Sequence, residues 1–257
     1  MKKIVAIVIV LFSFSHIFPV KAQVSIKDSA VATFMIGISY SYNWPGGDLV
    51  NRFGENSTIG GSFAVKLKSN LKIRLMYNYI FGKNVKQYEI LDGLRTEKGF
   101  IIGEDGTPSE TDIFERGYSL FLTLGVIIPK IPLTKIKLSL NPNSGFVFSI
   151  GPGFLQHKIR IESNAAALQG DYKKGYDRLS NGFAVMESIG YLFLSNRRLI
   201  NFYIGMTSVQ AWTTNRRGFN YDTGKEDNEK RLDIMTGFKF VWILPLYKKV
   251  PDEYYFY

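Results

Sequence analysis

From residue 34 to residue 44 the even positions read Phe34, Ile36, Ile38, Tyr40, Tyr42 and Trp44, and the odd ones Met35, Gly37, Ser39, Ser41 and Asn43. Side chains alternate across a strand, so this period of two gives one greasy face and one small or polar face. The pattern suits a strand with lipid on one side and a crowded polar lumen on the other. It returns in Phe63, Val65 and Leu67 against Ser62, Ala64 and Lys66. It returns again in Leu71, Ile73, Leu75, Tyr77, Tyr79 and Phe81 against Lys72, Arg74, Met76 and Asn78. Ser69 and Asn70 separate these two runs, which therefore read as a hairpin. Further runs at 118–126, 146–161, 183–193, 200–206 and 232–244 bring the count to about eight strands, each near the nine to eleven residues a tilted strand needs to cross a bilayer.

A soluble sandwich alternates too, so the connections decide. The gaps at 45–57, 83–116, 162–181 and 210–231 are long and polar, whereas 69–70 and 195–198 are short. Long and short alternate down the chain, which predicts an all-β, antiparallel, up-and-down transmembrane β-barrel with long extracellular loops and short periplasmic turns. One segment, 129–145, should be a short turn yet contains the alternating piece Lys135-Ile136-Lys137-Leu138-Ser139-Leu140. As a hairpin extension it leaves eight strands; as a further spanning segment it makes ten and inverts every later loop. Aromatic residues gather near the strand ends, where amphipathic rings favour headgroup depth.

The chain opens with Lys2 and Lys3, an apolar run from Ile4 to about Phe18, and Val20-Lys21-Ala22 before Gln23. This is the pattern of a cleaved signal peptide over 1–22, its apolar stretch too short for a spanning helix. Residues 23–30 then form a periplasmic lead-in, 31–244 the barrel and 245–257 an aromatic tail. Without Lys2, Lys3 and Lys21 the formal charge falls from +10 to +7. Export argues against nucleic acid as the counter-charge and for outer-membrane lipid, lipopolysaccharide above all. Cys is absent, so there is neither a disulfide framework nor a thiolate metal site.

The predicted lumen face carries Lys66, Lys72, Arg74, Arg160, Glu187, Asp233 and Lys239. An eight-stranded barrel is just filled by its side chains, so these charges are expected to pair in a plug rather than line a pore. Glu187 is expected inward, facing Arg74, Lys72 or Arg160, because a carboxylate facing lipid at midplane is costly.

Chemistry is sparse. His157 is the only imidazole beyond the signal peptide, no Gly-x-Ser-x-Gly elbow is present, and Ser149 lies eight residues away along one strand. No catalytic residue is assigned and no enzyme is expected. The acidic stretches 104–112 and 222–229 lack the spacing of a calcium loop and are interspersed with Lys225 or followed by Lys230 and Arg231, so neither a metal nor a cofactor is expected. Pro245, which lacks a ladder donor, is expected to end the last strand. The tail beyond it is a candidate partner contact through Tyr247, Tyr254, Tyr255, Phe256 and Tyr257; folding back on the barrel rim is the alternative.

The chain resembles the small outer-membrane β-barrel proteins of Bacteroidota, the porin-T-like or outer-membrane-protein-X-like group. The residues that carry this are the signal peptide, the barrel pattern over 31–244, the turn Asn141-Pro142-Asn143-Ser144-Gly145 leading into Gly151-Pro152-Gly153-Phe154-Leu155-Gln156-His157-Lys158-Ile159, and the ending from Trp242 to Tyr257. Asp28-Ser29-Ala30 also looks like the sites at which some Bacteroidota O-glycosylate exported proteins, which makes Ser29 a candidate. The resemblance implies membrane insertion and, in several members, an accessory part in secretion or assembly machines; it brings no catalytic residues. The expected function is a non-enzymatic accessory or scaffold subunit of a larger outer-membrane protein complex. A stand-alone structural or adhesive barrel is the alternative, followed by a small channel or lipid-modifying enzyme.

Overall fold

A computed structural model of the chain describes residues 29–129, 141–195 and 199–247. The strands are β1 (Thr33–Gly47), β2 (Asn56–Lys66), β3 (Leu71–Gly82), β4 (Ile101–Ile102), β5 (Pro108–Ser109), β6 (Thr111–Ile128), β7 (Gly145–Ser163), β8 (Ser180–Phe193), β9 (Phe202–Asn215), β10 (Phe219–Asn220), β11 (Lys225–Glu226) and β12 (Lys230–Leu246). Eight of them close into one antiparallel barrel in the order β1-β12-β9-β8-β7-β6-β3-β2; β4-β5 and β10-β11 are small hairpins in the long loops.

The alternation in the sequence becomes the two faces of the wall. On β1, residues from Thr33 to Asn43 alternate strictly between buried and exposed, with Phe34, Ile36, Ile38, Tyr40 and Tyr42 outside. Following the cross-strand partners from Trp44 through Thr236, Ser208, Glu187, Ile150, Leu124, Ile73 and Val65 returns to β1 at Phe34, ten residues lower. A stagger of that size over eight strands means a strongly tilted, narrow barrel whose interior side chains must interdigitate. Stacked or edge-on ring pairs girdle the outside, Phe183 with Trp212 towards one end and Phe193 with Phe202 towards the other.

Eight strands, not ten, make the wall. β6 pairs directly with β7 from Ile128 opposite Phe146, leaving no place between them for another strand; residues 135–140 lie outside the described residues. β6 and β7 are longer than a bilayer requires, 18 and 19 residues, because their outer ends continue past the membrane into the loop cap. β9 and β12 likewise extend into what the polarity of the sequence marks as loop. The last strand also runs through Pro245 to Leu246 instead of stopping at the proline. Pro245 faces Met35 of β1, while the pairing with β9 ends at Trp242, so one side of Pro245 has no ladder neighbour to receive an N–H. Pro152 in mid-strand has a visible cost: the β6–β7 ladder skips from Phe121–Gly153 to Leu124–Ile150.

Two apolar clusters close the barrel. The outer one joins lumen residues such as Leu155, Ile159 and Met235 to loop residues Leu49, Phe53, Val85, Ile90 and Leu168, so the long loops fold inward as a cap. The inner one gathers Val31, Met35, Ile127, Val147, Leu192, Leu194 and Ile243 at the periplasmic end, with Tyr247 against it.

Candidate functional site

Within the outer apolar cluster, with Met235 and Leu155 on its inner side and the loop residues on its outer side, lies a polar layer organised on Asp233 of β12, which is fully buried. Its carboxylate accepts Arg52, carried in by the first loop, the His157 Nε2 at 2.8 Å and the Thr213 hydroxyl at 2.5 Å. Arg52 also donates to the Ser180 hydroxyl at 3.2 Å, and Phe53 meets the His157 ring edge-on at 5.5 Å. Loop 1 is thus pinned into the barrel mouth by one charge pair and one aromatic contact. Glu115 sits nearby, buried, with both oxygens receiving Asn56 Nδ2 at 3.0 and 3.2 Å, and Asn43 donates to Asn56 at 2.9 Å.

The inner half of the lumen is cationic. Lys72 and Arg74 flank the Tyr203 ring at 5.5 and 5.9 Å, and Lys239 donates to Asn78 Oδ1 at 3.0 Å. Lys66 is clamped by the Val31 carbonyl at 3.1 Å and Asn143 Oδ1 at 2.9 Å. Asn143, from the Asn-Pro-Asn-Ser-Gly turn, also accepts the Val31 N–H and donates to the Ser29 carbonyl, at 2.8 Å each, so one side chain ties the lead-in to the barrel floor. Lys66, Lys72, Arg74, Asp233 and Lys239 are therefore inside, as expected. The expected ion pairing among them is not found: none of these four cations meets a carboxylate among the described residues, and the one acid, Asp233, is taken by Arg52 and His157.

Two residues expected in the lumen stand outside it. Arg160 is exposed on the outer face of β7, paired with Glu162 at 2.8 Å. Glu187 shares its parity on β8 with Phe183 and Ile189, 55% and 57% exposed, while Met186 and Ser188 beside it are 3% and 4% exposed and point inward. A strand has one register, and four large apolar residues on that parity (Phe183, Val185, Ile189, Tyr191) outweigh one carboxylate.

On the outer wall, just beyond the aromatic belt, a shallow groove of about 740 Å³ is lined by Tyr79, Tyr118, Arg116, Lys158, Arg160 and Lys173 among others. Arg116 and Lys158 are cross-strand partners, and Arg116 lies over the Phe114 ring at 4.9 Å. The result is a cluster of cations directly above Tyr118 and Phe154, whose rings pack at 6.1 Å.

No family model matches the chain, and no curated protein matches it. Among solved structures it is similar to three small outer-membrane barrels. These are Ail, the attachment invasion locus protein of Yersinia pestis, solved with the heparin analogue sucrose octasulfate (13% identity, 82% of this chain and 99% of that one, TM-score 0.37), the N-terminal β-barrel domain of Pseudomonas aeruginosa OprF (10%, 82% and 97%, 0.35), and Pseudomonas aeruginosa OprG (11%, 86% and 99%, 0.34).

Acid–base pairs clip the outer loops, two between the β7–β8 and β9–β12 connections and a third between the latter and the start of β12. Arg217 holds Asp177 with two bonds of 2.9 and 2.6 Å, Arg178 meets Asp222 at 2.5 Å, and Arg231 meets Asp227 at 2.7 Å. The hydrogen bonds to Asp177 raise the Arg217 guanidinium above its ordinary value. Partial burial opposes ionisation of Asp227, but hydrogen bonds from Arg231, Asn215 and Asn220 outweigh it and hold the carboxyl below its ordinary value. Asp105 turns back on Thr107 instead of facing a neighbouring acid. At the other end, Tyr247 is folded onto the rim, its hydroxyl donating to the Ser195 carbonyl at 3.3 Å; burial pushes its phenol up. Tyr254, Tyr255, Phe256 and Tyr257, and the segment 1–22 expected to be a signal peptide, lie outside the described residues, while Ser29 is exposed at the start of them.

Sequence reasoning missed Arg52, Glu115 and the His157–Asp233 pair. Arg52 lies in a loop with no period to place it, and Glu115 lies beyond the run read as a strand. His157 carried a legible signal, since its parity matches the inward Ile159 and Ile161.

Proposed function

We propose that this chain is a non-enzymatic barrel of a bacterial outer membrane that serves as an accessory or scaffold subunit of a larger secretion or assembly complex. The observation that carries the reading is a lumen filled at both ends by apolar clusters, the outer one enclosing a polar layer whose carboxylate and hydroxyls are spent on structure. Asp233 holds Arg52, and Ser180, the hydroxyl opposite His157 on the next strand, both accepts from Arg52 and donates to the Arg178 carbonyl at 3.1 Å. Among the described residues no nucleophile is free beside the imidazole, and apolar clusters fill both ends of the lumen, which favours action through the outer wall, loops and rim. A belt of exposed Phe, Ile, Leu and Tyr on that wall supports residence in lipid. The cationic groove above the belt supports phosphorylated outer-leaflet lipid such as lipopolysaccharide as its counter-charge.

The test is a mild-detergent pull-down of the tagged protein from its own membranes, comparing the full chain with one ending at Tyr247. Reproducible co-purification of one large outer-membrane assembly supports the accessory reading, and its loss on truncation locates the contact in residues 248–257. Recovery of the bare barrel from both forms overturns it in favour of a barrel acting through its loops.

A further inference from the structure

Resting on the accessory reading, we infer that the outer wall of β8, β9 and β12 is an intramembrane docking surface for a spanning segment of a different protein. That segment presents a cationic hydrogen-bond donor to Glu187.

Glu187 lies four residues below Phe183, which stacks on Trp212 at 6.0 Å, and four above Tyr191, which meets Phe146 at 5.6 Å. At the rise of a tilted strand it is roughly 10 Å from each aromatic row, deep in hydrocarbon. Its cross-strand partner on β9 is Ser208, and the next on β12 is Thr236, whose hydroxyl is 3.4 Å from that of Ser208. Gln210, one step outward, faces Val185. A carboxylate, two hydroxyls and an amide thus make one contiguous polar stripe on three adjacent strands. The far wall has no counterpart: β3 and β6 show lipid Ile73, Leu75, Leu120, Leu122, Leu124 and Val126.

Lipid supplies Glu187 with nothing, and no described Lys, Arg or His lies within ion-pair distance of it. An intramembrane carboxylate needs a donor or a water-filled surround. Charge argues against a second copy as the occupant: the outward band between the aromatic rows carries no Lys or Arg on any of the eight strands, so a copy offers Glu187 no cation and nothing stronger on the stripe than the Gln210 amide. Two copies docked stripe to stripe would set carboxylate against carboxylate. The stripe therefore fits a heterologous partner with Arg, Lys or His at membrane depth, with the serine, threonine and glutamine beside Glu187 taking secondary hydrogen bonds.

The experiment is photo-cross-linking of the full chain in its own membranes, with benzoylphenylalanine replacing Ser208 on the stripe or Leu122 on the far wall. The expected result is a discrete protein adduct from position 208 and none from 122. The cross-linked peptide should map to a membrane-spanning segment bearing such a donor, and the adduct should fall at least tenfold in Glu187→Leu and less in Glu187→Gln. The heat-modifiable mobility of a folded barrel, unchanged in each variant, separates loss of contact from loss of fold. A homodimer adduct, equal adducts from both positions, lipid adducts alone at 208, or an adduct indifferent to Glu187→Leu each overturns the inference. Should the pull-down still recover a complex while position 208 meets only lipid, the accessory reading stands and this surface falls. If the pull-down also yields bare barrel, both fall.

Discussion

Replacing Asp233 by Leu tests whether the barrel mouth is held shut by charge. The carboxylate is fully buried, and the Arg52 side chain bonded to it is 6% exposed, so neither group is solvated well enough to stand alone. Removing one partner of a buried pair leaves the other uncompensated, at about 3–5 kcal/mol. Arg52 keeps its bond to Ser180, which places the expected loss at the lower end, about 3 kcal/mol or some 150-fold in the unfolding equilibrium. The assay is reversible urea unfolding in phosphatidylcholine vesicles, read by fluorescence. Trp44, Trp212 and Trp242 all sit on the lipid face, so their emission reports insertion of the wall and not the lumen itself. Because the pair's own worth is a separate quantity, Arg52→Leu with Asp233→Leu should recover most of the loss, giving a coupling of about 2 kcal/mol in the double-mutant cycle. Single-channel conductance should rise in Asp233→Leu as loop 1 comes away from the mouth. Stability within about 0.5 kcal/mol of the parent, or additive single mutants, would refute the pinning role.

Glu187→Leu should stabilise the isolated barrel in pure phospholipid by about 1 kcal/mol, below the roughly 2–4 kcal/mol cost of a midplane Arg or Lys, since carboxylates cost less; destabilisation would mean that the carboxylate has an internal partner. Arg116→Gln, Lys158→Gln and Arg160→Gln together should reduce co-purified lipopolysaccharide several-fold and flatten the salt dependence of its binding, with no change when Lys225 and Lys230 are neutralised instead. The loop clip at Asp227 should be pH-sensitive in one direction. Its carboxyl is depressed, so its contribution is complete above about pH 4 and is lost as pH falls through the folded-state value. Pepsin should therefore nick residues 216–229 faster at pH 2 than at pH 4 relative to a loop-independent substrate, and Asp227→Asn should remove the difference. Lys66→Ala should cost about 1–3 kcal/mol by removing the ammonium bonds to the Val31 carbonyl and to Asn143 that help tie down the lead-in, seen as faster proteolysis near Ser29.

The wall was legible because its period is strict: β1, β3 and the inner part of β6 could be placed from alternation alone, each residue voting with its neighbours. The ends were not, since outward of the bilayer both faces of a strand become polar and the period fades, as along 210–215 and 230–232. Proline misled at 245, where the decisive fact is a missing ladder neighbour on one side, a property of the closed sheet and not of the residue. The lumen charges were half legible. Parity put Lys66, Lys72, Arg74, Asp233 and Lys239 inside, but their partners depend on the ten-residue stagger and on which loop residue reaches down. Arg52 is 181 positions from Asp233 in the chain, and no local pattern connects them.

Glu187 shows why a sound local rule can give the wrong face. A charged side chain prefers the lumen, yet a strand cannot turn one residue over without turning all of them, and moving Glu187 inward would send Met186 and Ser188 out and bury Phe183, Val185, Ile189 and Tyr191 in a lumen already filled. Burying four large residues where Gly, Ala and Ser sit beside a single Met costs far more than one carboxylate in lipid. The register is therefore fixed by the majority, and the residue that loses the vote is left at a position its own chemistry opposes. Ser208 and Thr236 beside it are subject to the same constraint on separate strands, and three strands erring at one spot on the wall form a pattern that packing inside this barrel does not require. A donor from outside satisfies all three at once.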